Sequence, residues 1–427
     1  MKAKRILAAV LAAMLIISLA ACSGKSSPKK GSVYWLNFKP ELDGTLQQLA
    51  KKYKESKKID VKVVTPESGT YSNTLAQELN SKTPPTMFVL GNAEDADKWQ
   101  EYTTDLKETE IAKEIKSDEY SLYDDVGKLA GIGYCYECYG IIVNRDLLEM
   151  IEYKIEDINN FEKLKEVVEY IHNNASWLGF DAFASTDFDA ENSWKYTAHL
   201  ANLEYFYEER DMSGWDERPK SIKGTYMDKY KNLYDLVINN SIAKPEELNE
   251  GGHNAEEEFT SLGAAFYLNG SWSYSSVKDS IKNAVMIPYY CGMEGEEKAG
   301  LCCGTENYWA VNGKVSEENR KATIDFMTWL VTDKDASAAM VEQLGALPFK
   351  NSPPSDNGFL NNAAELSGTK YYVMDWAANY QPDKDNYRAE LAEALKEYNE
   401  DQTDEKWNKV KTAFVDGWAK HYAAEHE

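Results

Sequence analysis

Several groups in this chain have the residue types for chemistry, and most fail on spacing. Asp187-x-Asp189-x-Glu191 opens like a calcium loop, in which alternating carboxylates converge on one cation. Such a loop also needs Gly at its sixth position and Glu at its twelfth, where Asn192 and Ala198 stand. No metal site is therefore expected. Cys135-x-x-Cys138 has the spacing of a redox pair, but it lies among Tyr134, Tyr136 and Tyr139 and opens no helical pattern. Together with Cys291, Cys302 and Cys303 it leaves an odd number of thiols beyond Cys22. Buried thiols, or one structural bridge between the two Cys-bearing segments, are the expected states. No Gly-x-Ser-x-Gly occurs, and His172, His199, His253, His421 and His426 sit in unremarkable polar surroundings. A Gly-x-x-x-x-Gly-Lys phosphate loop is also missing, so no cofactor is expected and any ATP hydrolysis belongs to a partner.

What remains is a surplus of aromatic rings and carboxylates. The chain has 28 Tyr and 11 Trp against 13 Phe. Rings with a polar handle suit a flat, hydroxylated ligand: they cover the C–H faces of a pyranose while carboxylates, amides and cations satisfy its hydroxyls. The same bias also serves a Tyr-rich packed interior. A glycoside hydrolase uses the same groups but needs two carboxylates across the scissile bond. No eightfold strand–helix pattern sets up such a pair, so binding without catalysis is the expectation.

The first elements to place are at the N-terminus. Lys2, Lys4 and Arg5 precede an apolar run from Ile6 to Ala21 broken only by Ser18, the pattern of a secretory leader over residues 1–21. It ends Leu19-Ala20-Ala21-Cys22-Ser23-Gly24, which resembles the bacterial lipobox, whose Cys is acylated and becomes the new N-terminus. Residues 22–32, rich in Ser, Gly, Lys and Pro, then read as a flexible tether from the lipid on Cys22. These features predict an extracytoplasmic protein held on the outer face of the membrane of a Gram-positive cell. The net charge of −24 argues against nucleic acid as a partner. At 427 residues the chain exceeds what one hydrophobic core usually holds, so two lobes are expected.

Strand signals at Val33-Tyr34-Trp35-Leu36, Ile59 to Val63 and Thr86 to Leu90 alternate with helical patterns, the mark of a parallel α/β layer. Asp43 is positioned to cap the first helix, whose apolar face is Leu46, Leu49, Ala50 and Tyr53. Ligands of such layers lie at the carboxyl ends of the strands, here the stretches 37–41, 68–71 and 91–92. Gly131 to Asp146 is a long β-rich run, followed by a mostly helical stretch to about Ala265. Strand character returns at Phe266 to Trp272, Val285 to Pro288 and Tyr308 to Asn312. Ser316 then caps a helix running to Leu330, and the C-terminal part reads as helical. A chain that alternates in this way passes between two lobes more than once and leaves a cleft at the crossings.

The lipobox, the Gly133–Asn144 run, Asn269-Gly270-Ser271-Trp272 and Tyr308-Trp309-Ala310-Val311-Asn312, in this order, resemble family 1 extracellular solute-binding proteins. Those are the sugar-capturing components of ATP-driven importers. The resemblance implies a type II periplasmic-binding-protein-like α/β fold, two lobes joined by a three-crossing hinge near Glu137, Asn269 and Leu330. The lobes would comprise 33–136 with 270–330, and 137–269 with 331–427. It implies a monomer that hands an oligosaccharide to permease subunits served by a separate ATPase. An α-gluco-oligosaccharide such as a maltodextrin, or an α-galactoside of the raffinose type, is the implied ligand; a peptide or amino acid is the nearest alternative. Asn37, Lys39, Glu41, Ser68, Tyr71 and Asn92 would supply polar contacts from the strand ends, and Glu137 a hinge carboxylate. Trp272, Tyr308 or Trp309, and Trp376 would supply rings. In the divergent inserted lobe, Trp194, with Asp189 and Glu191, is suggested by composition alone.

Overall fold

The computed structural model describes residues 30–426 except Ser68, Ser213, Asp216 and Glu217. The leader, Cys22 and most of the tether lie outside the described residues.

The first sheet begins with β1 (Val33–Leu36), β2 (Val61–Val64) and β3 (Met87–Leu90), paired in parallel with β1 in the middle. Helix α1 (Asp43–Lys57) packs Leu46, Leu49, Ala50 and Tyr53 inward, the stripe that a 3.6-residue period demands. Asp43 is not its cap. Pro40, with its fixed φ, starts a short 3-10 turn, and Asp43 follows as the first helical residue, its carboxylate accepting from Thr65 Oγ1 at 2.6 Å. Helix α2 (Tyr71–Leu79) joins β2 to β3, and α3 (Ala93–Lys98) leaves β3 under an Asn92 cap. An antiparallel pair follows, β4 (Ser121–Tyr123) with β5 (Leu129–Gly133).

The chain crosses to the second sheet through residues 134–136. There β6 (Glu137–Asn144) is central, buried along its whole length. Next come α4 (Phe161–Leu178), β7 (Asp181–Phe183), a π-helix at Lys195–Leu200 that continues into α5 (Asn202–Asp211), and α6 (Met227–Asn239). Strands β8 (Ala264–Gly270), β9 (Ala284–Ile287) and β10 (Ala299–Gly304) all join this sheet, β8, β9 and β10 each antiparallel to β6.

Residues 305–307 cross back. Strand β11 (Tyr308–Val311) inserts between β3 and β5, completing the order β2-β1-β3-β11-β5-β4. Helices α7 (Glu317–Thr332) and α8 (Lys334–Leu344) pack Phe326, Met327, Leu330, Met340 and Leu344 into the same core. A third crossing lies between Lys350, still bonded to Glu114, and α9 (Gly358–Glu365), which packs on the second sheet. Strand β12 (Tyr372–Met374) completes the order β12-β10-β6-β8-β7, and α10 (Lys384–Glu400) and α11 (Asp404–Glu425) cover it.

The second and third crossings therefore differ from expectation. Residues 284–304 belong to the second lobe, and the first lobe keeps the chain well past Leu330 to about residue 350. Strand character marks a strand but not its sheet: partners such as β6 and β10 lie more than 150 residues apart, and only assembly pairs them. All five described cysteines are buried and free. No bridge joins the two segments, although register sets Cys138 opposite Cys303.

Ser316 does cap α7, its side chain accepting from Asn319 N at 3.3 Å. Ser316→Ala removes one satisfied helix-end donor and is expected to cost about 1 kcal/mol in a urea titration. An unchanged midpoint would mean that the cap carries no net stability.

Candidate functional site

A cavity of about 520 Å³ lies between the lobes, at the carboxyl ends of β1 and β3. Its floor is an ion pair. Lys39, on the loop after β1, holds its ammonium 2.8 and 3.1 Å from the two carboxylate oxygens of Glu137, the first residue of β6, with Glu41 at 3.5 Å. Both side chains are buried, at 7 % and 1 % exposure. Burial pulls the Lys39 ammonium down, but Glu137 and Glu41 outweigh it and hold its pKa well above the ordinary lysine value. Burial pushes the Glu137 carboxyl up, against the pull of Lys39.

Rings from both lobes form the walls. Trp272 follows β8, Trp194 caps the π-helix and His199 lies within it, an element often found at functional sites. Trp272 and Trp194 lie 6.0 Å apart between ring centroids at 57°, and His199 stands 4.7 Å from Trp194 and 5.6 Å from Trp272. The imidazole stacks on Tyr139 at 3.7 Å. Burial, with Arg388 and Lys195 nearby, holds His199 well below its ordinary pKa, so the ring is neutral at pH 7. Opposite, Phe38 meets Tyr71 edge to face at 5.2 Å. The Tyr71 hydroxyl is already used, accepting from Val89 N at 2.7 Å, so this residue offers a ring and not a polar contact.

One rim is closed by contacts between the lobes. Asn92 donates to Asn379 O at 2.8 Å, and Lys384 of α10 donates to Asp95 of α3 at 2.9 Å. Arg218 bridges Glu94 of α3 at 2.8 Å and Glu425 of α11 at 2.5 Å. Burial, and then the neighbouring Glu425 carboxyl, push the Glu94 pKa up to about 8, with Arg218 and Lys384 opposing. Moving the lobes apart would remove these causes and return Glu94 toward its ordinary 4.5. The touching state thus binds the proton more tightly. Its stability rises as pH falls through about 8, and the gain levels off near the ordinary value. Small-angle scattering is expected to show a larger radius of gyration at pH 9 than at pH 6. Glu94→Gln is expected to abolish that difference; a difference that persists in the variant would assign it to other groups.

Of the residues proposed from sequence, Lys39, Glu41, Tyr71, Asn92, Glu137, Trp194 and Trp272 line the cavity. Ser68 lies outside the described residues. Asn37 is fully buried and donates to Lys39 O and Thr65, so it shapes the loop without facing the cavity. Trp309 is 0 % exposed, stacked on Tyr134 at 4.6 Å and edge-on to Trp35. Tyr308 points to the other side of the sheet and bonds Thr305 O. Neither is in the cavity wall, because β11 is an interior strand whose two faces are both covered. Trp376 stacks on Tyr139 behind the wall, 7 % exposed. Asp189 and Glu191 also lie off the cavity, where the Asp189 carboxylate orders its own turn.

His199, Lys384, Arg388, Glu306 and Asn307 line the cavity and carry no motif. They come from the π-helix, the second crossing and α10, far apart in sequence, so no single spacing could announce the set. Among the described residues no three His, Cys, Asp or Glu side chains group as metal ligands. The Asp187 carboxylate instead accepts from His253 N and faces its ring nitrogen at 2.7 Å. No helix among the described residues is long and apolar enough to cross a membrane.

Residues 48–366 match a family described as bacterial extracellular solute-binding protein. No curated protein matches. Among solved structures, RafE in complex with raffinose aligns with a TM-score of 0.69 at 16 % identity, covering 92 % of this chain and 99 % of that one. A chitin oligosaccharide binding protein gives 0.69 at 14 %, over 92 % and 100 %. The GacH receptor of Streptomyces glaucescens, solved unliganded and with acarbose, gives 0.65 at 17 %, over 92 % and 99 %. With two α/β lobes, three crossings and a cavity between them, and with the family match spanning most of its length, the chain belongs to the bacterial extracellular solute-binding proteins, non-enzymatic components of transport.

Proposed function

We propose that this protein captures an oligosaccharide between its lobes and delivers it to the permease of an ABC importer, whose ATPase is a separate subunit. The observation that carries the reading is the pair of aromatic walls, Trp194, His199 and Trp272 facing Phe38 and Tyr71, around a floor of charged and amide groups. Rings cover sugar faces, and the floor satisfies hydroxyls whose burial without partners would cost roughly 1–3 kcal/mol each. Ligand held by both lobes favours the touching state, which is the state a permease would read. The solved structures aligned above, with raffinose and with acarbose, support a sugar of the α-galactoside or α-gluco-oligosaccharide class. The leader and Cys22 support a lipoprotein on the outer face of the cell membrane, and a lipid-tethered importer component suits a Gram-positive cell. One acyl chain anchors weakly, so stable attachment takes the diacyl form that a lipobox implies.

Arg388 and the carboxylates Glu41 and Glu306, all on the cavity wall, also suit the two termini of a short peptide. Isothermal titration of residues 31–427 against raffinose, maltodextrins, chitooligosaccharides and di- and tripeptides separates the readings, with chromatography of each mixture afterwards. Tight binding of one sugar series, recovered intact, is the expected result. Peptide binding without sugar binding, or cleaved sugar, would overturn it.

A further inference from the structure

We infer that Asn307, on the second crossing, is a specificity-determining ligand contact whose amide engages two adjacent oxygens of the innermost sugar unit. The inference rests on the sugar-binding reading and deepens it. Asn307 lines the interlobe cavity and is 1 % exposed, yet its Nδ2 is buried without a hydrogen-bond partner. Buried side-chain amides are nearly always satisfied within the fold, and one left unsatisfied beside a binding cavity awaits a group from outside. Nothing in the local backbone demands the residue. Its own carbonyl accepts from Tyr134 N at 3.2 Å, and Thr305 and Tyr308 pin the crossing on either side. The backbone of the crossing is thus held by bonds that do not use the Asn307 amide.

The surroundings indicate what would. An amide offers donors and an acceptor side by side, which matches two neighbouring hydroxyls, one accepting and one donating. Glu306, adjacent in the chain and on the same wall, adds an acceptor only. A second orphan lies on the same cavity: His199 Nδ1 is buried without a partner and its ring is neutral, so it adds polarity without charge. The crossing also joins the two lobes. A contact made there persists through opening and closing, so it can select ligand before the walls close.

The test compares the wild-type chain with Asn307→Leu, nearly isosteric, and Asn307→Ala, using the tightest sugar from the titration panel and its singly deoxygenated analogues. Because the amide has no partner among the described residues, neither variant is expected to lower the thermal midpoint without sugar. Affinity for the intact sugar is expected to fall about 10- to 100-fold in both. At least one deoxygenated analogue is expected to bind wild type about 10-fold more weakly than the intact sugar, and both variants equally. Variant affinities within twofold of wild type would overturn the inference while leaving the sugar reading intact. So would a midpoint lowered by several degrees in both variants, which would mean a structural partner for the amide. A wild-type chain that binds no sugar would overturn both.

Discussion

Glu137→Gln is expected to lower the unfolding free energy by about 3–5 kcal/mol, the usual loss when one partner of a buried ion pair is removed. The substitution preserves shape and one acceptor, so what disappears is the charge opposite Lys39. That ammonium, 7 % exposed, is then left with Glu41 at 3.5 Å as its counter-charge. Glu41 is one-third exposed and cannot replace a two-point contact at 2.8 and 3.1 Å. Removing both charges tells a different story. Lys39→Met with Glu137→Leu leaves no uncompensated charge, and its stability is expected to return to within about 1 kcal/mol of wild type. Ligand affinity is not expected to return with it, because the two polar groups that the ion pair offers the sugar are gone. Urea titrations of wild type, Glu137→Gln and the double variant check the first statement and calorimetry checks the second. A single variant as stable as wild type would show that water reaches the pair and that the floor is not dry.

Trp272→Ala is expected to weaken sugar binding by about 30-fold or more, a loss of roughly 2 kcal/mol or above, as for a buried aromatic anchor at the centre of an interface. The indole is held by Trp194 and His199 on the cavity side and folds back over Gly270 on the other. A Cβ at Gly270 would stand 2.2 Å from the ring, so Gly270 leaves room for the indole as well as ending β8. Two further variants follow from this arrangement. Trp272→Phe keeps a ring and is expected to recover part of the affinity. Gly270→Ala leaves Trp272 in the sequence but displaces it, and is expected to weaken binding with the indole still present. Tryptophan fluorescence on adding sugar monitors both. Wild-type affinity in Trp272→Ala would remove the residue from the site.

Each of these side chains was accessible to sequence reasoning to a different degree. Lys39, Glu137 and Trp272 lie at strand ends or at the β-rich run, where the α/β pattern and the family resemblance both put a ligand. The alternating apolar strands, the stripe on α1 and the Ser316 cap are local signals, carried by a few neighbouring residues, and the structure contains them. The family resemblance put Trp309 and Trp376 at the ligand, and both lie outside the cavity wall. An aromatic residue in a strand reads alike whether it faces a cavity or a core, and here the covering of β11 by α7 decides for the core. Asn37 failed for a related reason: a polar residue at a strand end can bond the ligand or its own loop, and Thr65 takes it for the loop.

The sequence by itself determined the fold class, the kind of chemistry available and the absence of a phosphate loop or hydrolase motif, because these depend on residue type and short spacing. Tertiary structure alone decided which sheet receives β9 and β10, where the second and third crossings lie, and that His199, Asn307, Lys384 and Arg388 share one cavity with Trp272. Those facts depend on which distant segments pack together. Packing is settled by the fit of whole surfaces and the satisfaction of buried polar groups, and no window along the chain contains either.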